Sequence, residues 1–134
     1  MPQFPARTPL VLAVLGLAAL AVAGCGSSND PPAGAQKMAF ELTDEGCDPH
    51  DAKAPAGPIV FDVENAGSSS VTELEVLDGE TTLGEVENLS EGLSGSFSLT
   101  LEKGEYTLRC NGGTNEDGTL TVTGGAKAQA KPNR

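Results

Sequence analysis

A cysteine closes the segment Tyr106-Thr107-Leu108-Arg109-Cys110, and four glutamates stand upstream of it in two pairs, Glu73/Glu75 and Glu85/Glu87. Thiolates are soft donors and carboxylates hard ones, and transition metals choose between the two. Residues two apart on a strand share a face, so each pair sets two carboxylates side by side. Opposed on neighbouring strands, such pairs repel unless they are protonated, screened or bridged by a cation. A strand-end thiol facing paired carboxylates is one way for a β-sandwich to build a metal site. Two plainer readings stand beside it: acidic pairs are ordinary on exposed strand faces, and Cys110 has a second cysteine, Cys47, with which to form a disulfide.

Little else in the chain has chemical machinery. There is no nucleophile–base pair, no H-E-x-x-H and no phosphate-cradling loop, so the expectation is a binding or structural protein, not an enzyme. His50 is the one histidine. It lies in a proline-flanked polar stretch and reads as a solvated loop residue. Tyr106 is expected to pack at a corner of the sheet with its hydroxyl hydrogen-bonded.

The start of the chain reads as an address. Arg7 gives a positive n-region, and the apolar run Leu10 to Val22 is too short to span a bilayer. Val22-Ala23-Gly24-Cys25 has the order of a bacterial lipobox, in which the cysteine is lipidated and becomes the first mature residue. The expected organisation is a lipoprotein signal over 1–24, a flexible tether over 25–36, one domain over 37–124 and a disordered tail over 125–134. That places the protein in the cell envelope, outside the cytoplasm, anchored to the membrane through Cys25. From Cys25 onward, 19 carboxylates face seven basic side chains, a net charge near −12. Such a surface argues against nucleic acid or anionic lipid headgroups as partners and is compatible with cations, basic proteins or plain solubility.

Between Lys37 and Thr123 the pattern has period two, with turn signals every eight to twelve residues or so. Met38, Phe40 and Leu42 mark a first strand; Ile59, Phe61 and Val63 mark a second that ends at Asn65-Ala66-Gly67. A third covers Val71 to Leu77 and turns at Asp78-Gly79, and a fourth covers Thr81 to Glu87. Phe97, Leu99 and Leu101 mark the fifth, Tyr106, Leu108 and Cys110 the sixth, Leu120 and Val122 the seventh. No segment has the period of an amphipathic helix. The expectation is all-β: an antiparallel Greek-key sandwich of about seven strands.

Strand direction then places the donors. If the second strand runs up to its turn at Asn65, successive reversals bring Glu73, Glu85, Glu87 and Cys110 to the top end. The stretch from Thr43 to Pro58 is long enough, at about 3.3 Å per extended residue, to cross the sandwich. If it does, the first strand also runs up and Cys47 joins them.

From Glu45 to Gly124 the chain resembles the cupredoxin-like domain of EfeO, the extracytoplasmic component of a bacterial iron-uptake system. The matching pieces are Gly46-Cys47-Asp48-Pro49, Ala56-Gly57-Pro58, Thr72-Glu73-Leu74-Glu75, Gly84-Glu85-Val86-Glu87-Asn88 with Glu91-Gly92, and Lys103-Gly104-Glu105-Tyr106 through Cys110. The resemblance implies a cupredoxin-like sandwich that binds iron or copper and works with components of an iron-uptake system. By motif position it implies Cys47, Glu73, Glu85, Glu87 and Cys110 as ligands, with Glu75 nearby. Two departures are visible. EfeO proteins continue into a helical imelysin-like domain with an H-x-x-E motif, whereas this sequence stops at Arg134, so a standalone accessory form is expected. Blue-copper proteins pair their cysteine with two histidines and a weak axial methionine. Here Glu73 takes the first histidine position and 111–118 holds neither His nor Met, so a type 1 copper carrier is not expected. The alternative is a disulfide-locked acidic sandwich, bridged from Cys47 to Cys110, that serves as a structural or interaction module without metal.

Overall fold

Period-two alternation leaves each strand one apolar face, and two sheets stacked face to face hide both sets. The computed structural model describes residues 30–124, which form nine strands and no helix. They are β1 (Gln36–Thr43), β2 (Gly46–Asp48), β3 (Ala52–Pro55), β4 (Gly57–Asn65), β5 (Leu74–Asp78), β6 (Thr81–Val86), β7 (Ser94–Leu101), β8 (Gly104–Arg109) and β9 (Asp117–Thr123). One sheet has the order β2-β1-β4-β7 and the other β3-β9-β8-β5-β6. The proposed signal, Cys25 and the tail over 125–134 lie outside the described residues.

Phe40, Leu42, Ile59, Phe61 and Val63 of the first sheet meet Leu74, Val76, Leu108, Leu120 and Val122 of the second in the core. Phe61 stacks on Phe97 at 4.8 Å between ring centroids and on Phe40 at 6.0 Å. Tyr106 packs against this core and donates its hydroxyl hydrogen to the Glu102 carbonyl at 2.9 Å, as anticipated for a corner tyrosine.

The seven expected strands are present, and the sandwich is not wholly antiparallel. β1 pairs with β4 in parallel, and β3 pairs with β9 in parallel. Both follow from the crossover between Thr43 and Pro58, which descends the full height of the sandwich and lays β2 on one sheet and β3 on the other. Neither short strand gave a period-two signal: β2 has three residues, and β3 ends in Pro55. A proline is tolerated there because β3 is an edge strand. The crossover brings Cys47 to the same end as Cys110.

Candidate functional site

The sequence-predicted donors reach one end of the sandwich but divide between two environments. Cys47 and Cys110 are joined as a disulfide with a Cα separation of 5.6 Å. Both belong to the core: Cys110 is fully buried and Cys47 is 6% exposed. The sheet register explains the split. Cys110 continues the inward series Tyr106, Leu108, whereas Glu75 sits between the buried Leu74 and Val76 and so projects from the outer face of the second sheet.

On that face one rung crosses four strands. Asp117 pairs with Arg109, Arg109 with Glu75, and Glu75 with Glu85. The single cation in this row is already engaged: Arg109 donates to Asp117 from Nε at 2.7 Å and from Nη2 at 3.1 Å. That fork holds the Asp117 carboxyl below its usual range. Glu75 and Glu85 are left opposed. Partial burial pushes the Glu75 carboxyl up, the charge of Glu73 adds to this, and a hydrogen bond and repulsion from Glu85 add further; Arg109 offsets only part. Glu73 and Glu87 are the next residues outward from the paired Leu74 and Val86. Glu73 is half-buried and accepts a hydrogen bond from the Asn111 side chain, while Glu85 and Glu87 are exposed. A backbone bond from Leu89 N–H to the Thr72 carbonyl at 2.9 Å holds the two segments together beyond the ladder.

Among the described residues, no three His, Cys, Asp or Glu side chains converge as metal ligands. The single thiolate–carboxylate constellation expected from the sequence is therefore not brought together: its sulfurs bond each other inside and its carboxylates stand outside. Nor do the donors fit a type 1 copper centre, since the strand-end sulfur is spent on another sulfur and Glu73 is hydrogen-bonded to Asn111. What the outer face offers is a set of hard oxygen donors.

Two residues carry more structure than their sequence context suggested. Asn65 is fully buried. Its Oδ1 accepts from the N–H groups of Gly67 (3.0 Å) and Ser68 (2.7 Å), and its Nδ2 donates to the carbonyls of Ser68 (2.8 Å), Val71 (3.2 Å) and Leu89 (2.7 Å). It ties the loop after β4 to the loop after β6, and so sets the position of Glu73 and Glu87. Asn-Ala-Gly is an Asx-turn signal, but nothing in it discloses the long-range bond to Leu89. His50, read as a solvated loop residue, is half-buried, and its Nε2 is buried. Its backbone carbonyl lies so close over Gly118 that a Cβ there would overlap it.

Comparison with known proteins gives this geometry a family. The cupredoxin-like domain model matches residues 15–122. The chain is 33% identical over 126 residues to the iron uptake system component EfeO of Yersinia pseudotuberculosis, a match covering 94% of this chain and 32% of that protein. It thus spans about a third of the length of the curated relatives it matches. Among solved structures it is similar to auracyanin B, with a TM-score of 0.59 at 19% identity over 70% of this chain and 91% of that one. Auracyanin from Roseiflexus castenholzii aligns with a TM-score of 0.55 at 14% identity, over 66% and 98% of the two chains. The chain belongs to the cupredoxin-like domain family, and its domain is of the EfeO type.

Proposed function

We propose that this is a lipid-anchored extracytoplasmic protein that binds a metal ion, iron or copper, as cargo and serves as an accessory to EfeO-type iron uptake. It is a binding protein, not an enzyme. The observation that carries this reading is the rung on which Glu75 and Glu85 face each other beside Glu73, with the neighbouring arginine committed elsewhere. A cation on that face relieves repulsion the fold otherwise tolerates, and carboxylates favour a hard ion such as ferric iron. The resemblance to iron uptake components named EfeO supports iron as the cargo.

Calorimetry on the mature protein tests it. Glu85→Lys with Glu87→Lys is expected to abolish ferric-ion binding while leaving the circular dichroism spectrum unchanged, because both side chains are exposed. Affinity is expected to fall on acidification, since protons compete for the carboxylates. The fall begins above the ordinary glutamate range, because the Glu75 carboxyl already holds its proton more tightly than usual. Binding unaltered by the double change rejects the carboxylate face as the locus. The anchor is tested separately: Cys25→Ser is expected to release the protein from the detergent phase, and unchanged partitioning rejects lipidation at Cys25.

A second reading, an acidic interaction module without metal, draws support from the Cys47–Cys110 bridge. Failure of both wild-type protein and variant to bind any ion favours it.

A further inference from the structure

An open sheet ends in two edge strands whose outer N–H and C=O groups lack a ladder partner, and proteins blunt such edges with short strands, prolines, charges or bulges. Three of the four edges in this sandwich are blunted in those ways. β2 has three residues, and β3 has four, Lys53 and Pro55 among them. β6 carries Glu85 and pairs with β5 through a register shift at Val76/Leu77. The fourth edge, β7, is different: it runs eight residues without a charge, a proline or a register shift. The bond from Asn65 N–H to the Leu93 carbonyl at 2.9 Å fixes the phase of its ladder. Odd-numbered residues of β7 exchange hydrogen bonds with β4, so the N–H and C=O groups of Ser94, Ser96, Ser98 and Thr100 point to the outer edge. That edge is reachable. Phe97 and Leu99 face inward yet are only half-buried, whereas Phe61 and Ile59, their partners on β4, are fully buried.

The outer face beside this edge is acidic. Glu41, Asp62 and Glu64, with Ser94 and Ser96, line a depression of about 420 Å³, and Glu41 stands directly opposite Glu64 in the β1–β4 ladder. Lys37 is the one basic residue on the four strands of this sheet; it reaches Asp62 only at 4.0 Å, and both side chains are exposed. Ser94, Ser96 and Ser98 are short, and the first two lie opposite Glu64 and Asp62, so nothing bulky separates the edge from those carboxylates.

We propose that β7 is a docking edge for an extended segment of a partner protein in which apolar and basic side chains alternate. Added as a fifth strand, the segment bonds through its backbone to the outward groups of Ser94, Ser96, Ser98 and Thr100. Its apolar side chains then cover Phe97 and Leu99. Its lysines or arginines project from the other face, two strand spacings or about 10 Å from β4, and extend over the serines toward Asp62 and Glu64. A second copy of this chain suits the edge less well, because β7 paired with β7 sets two strongly acidic chains on one continuous face. The inference is independent of cation binding at Glu73, Glu75, Glu85 and Glu87.

The test uses the mature protein with Cys25→Ser and a capped eight-residue peptide alternating valine and lysine. A peptide of the same composition with its valines and lysines in adjacent pairs is the reference. The alternating peptide is expected to bind roughly tenfold more tightly in fluorescence anisotropy, and to slow amide hydrogen exchange at Ser94, Ser96, Ser98 and Thr100. Ser98→Pro removes an edge N–H without touching the ladder to β4 and is expected to weaken binding about five- to tenfold. Asp62→Asn with Glu64→Gln is expected to weaken it about three- to tenfold, while Glu105→Gln with Glu116→Gln, the same charge removed beside the other sheet, leaves it unchanged. Equal binding of the two peptides, or equal losses from the two charge pairs, reduces the effect to diffuse attraction and overturns the docking edge. Exchange slowed elsewhere but not at those four amides overturns its location, and that reading needs no variant. A peptide-free dimer in sedimentation that Ser98→Pro dissolves overturns the occupant in favour of a second copy.

Discussion

Replacing both bridged cysteines, Cys47→Ala with Cys110→Ala, is expected to cost about 4 kcal/mol of stability and to lower the melting temperature by roughly 15–30 °C. The two residues are 63 apart in sequence, and releasing a loop of that length returns its closure entropy to the unfolded chain. A further loss acts in the same direction, because the sulfurs sit among core side chains and their removal leaves a void. A small domain commonly has about 5–15 kcal/mol in hand, so the unbridged protein is expected to stay folded at 25 °C and melt early. Urea midpoints and thermal melts of the bridged, reduced and double-alanine forms check this. A fall of only a few degrees would show that the bridge constrains the unfolded chain hardly at all.

Asn65→Ala is expected to cost about 3 kcal/mol. The side chain satisfies two N–H groups and reaches three carbonyls within a site closed to solvent, and an alanine leaves these groups facing each other without a partner. Asn65→Asp separates the two halves of this role. A carboxylate still accepts from Gly67 and Ser68, but it sets negative charge against the carbonyls of Ser68, Val71 and Leu89. The aspartate variant is therefore expected to be at least as damaged as the alanine one at neutral pH. Chemical denaturation of both gives the answer; an aspartate variant close to wild type would show that the donor half contributes little. Because Asn65 joins the loops that carry Glu73 and Glu87, either change is also expected to weaken cation binding on the outer face.

The sandwich was legible in the sequence because burial on one face per strand writes itself as alternation. Phe40, Leu42, Ile59, Phe61, Val63, Leu108, Leu120 and Val122 were all visible in that way and are all in the core. The convergence of Cys47 and Cys110 was legible too, through the length of the crossover. The faces were in the alternation too: Cys110 follows the inward series Tyr106, Leu108, while Glu73 and Glu75 flank the inward Leu74. Grouping the donors by the end of the sandwich they reach, and not by face, is what joined Cys110 and Glu73 in one site. β2 and β3 escaped because short edge segments are held by their neighbours more than by their own residues. Asn65 and His50 escaped for another reason: the Asn65 bond to the Leu89 carbonyl and the close approach of the His50 carbonyl to Gly118 join segments far apart in the chain, which leaves no mark on local pattern.

The last strand in the sequence is not last in the sheet. β9 lies between β3 and β8, pairing with β3 from Leu120 to Thr123 and with β8 from Asp117 to Val122. A chain made from its N-terminus therefore carries the other strands of that sheet for some time with the slot between β3 and β8 open, leaving the β8 edge unpaired. Such edges template association with other chains. Folding of the second sheet waits for Asp117 to Thr123 to emerge, and truncation anywhere before that segment yields not a smaller domain but an aggregation-prone one. Completion of the second sheet thus rests on seven residues at the far end of the described fold.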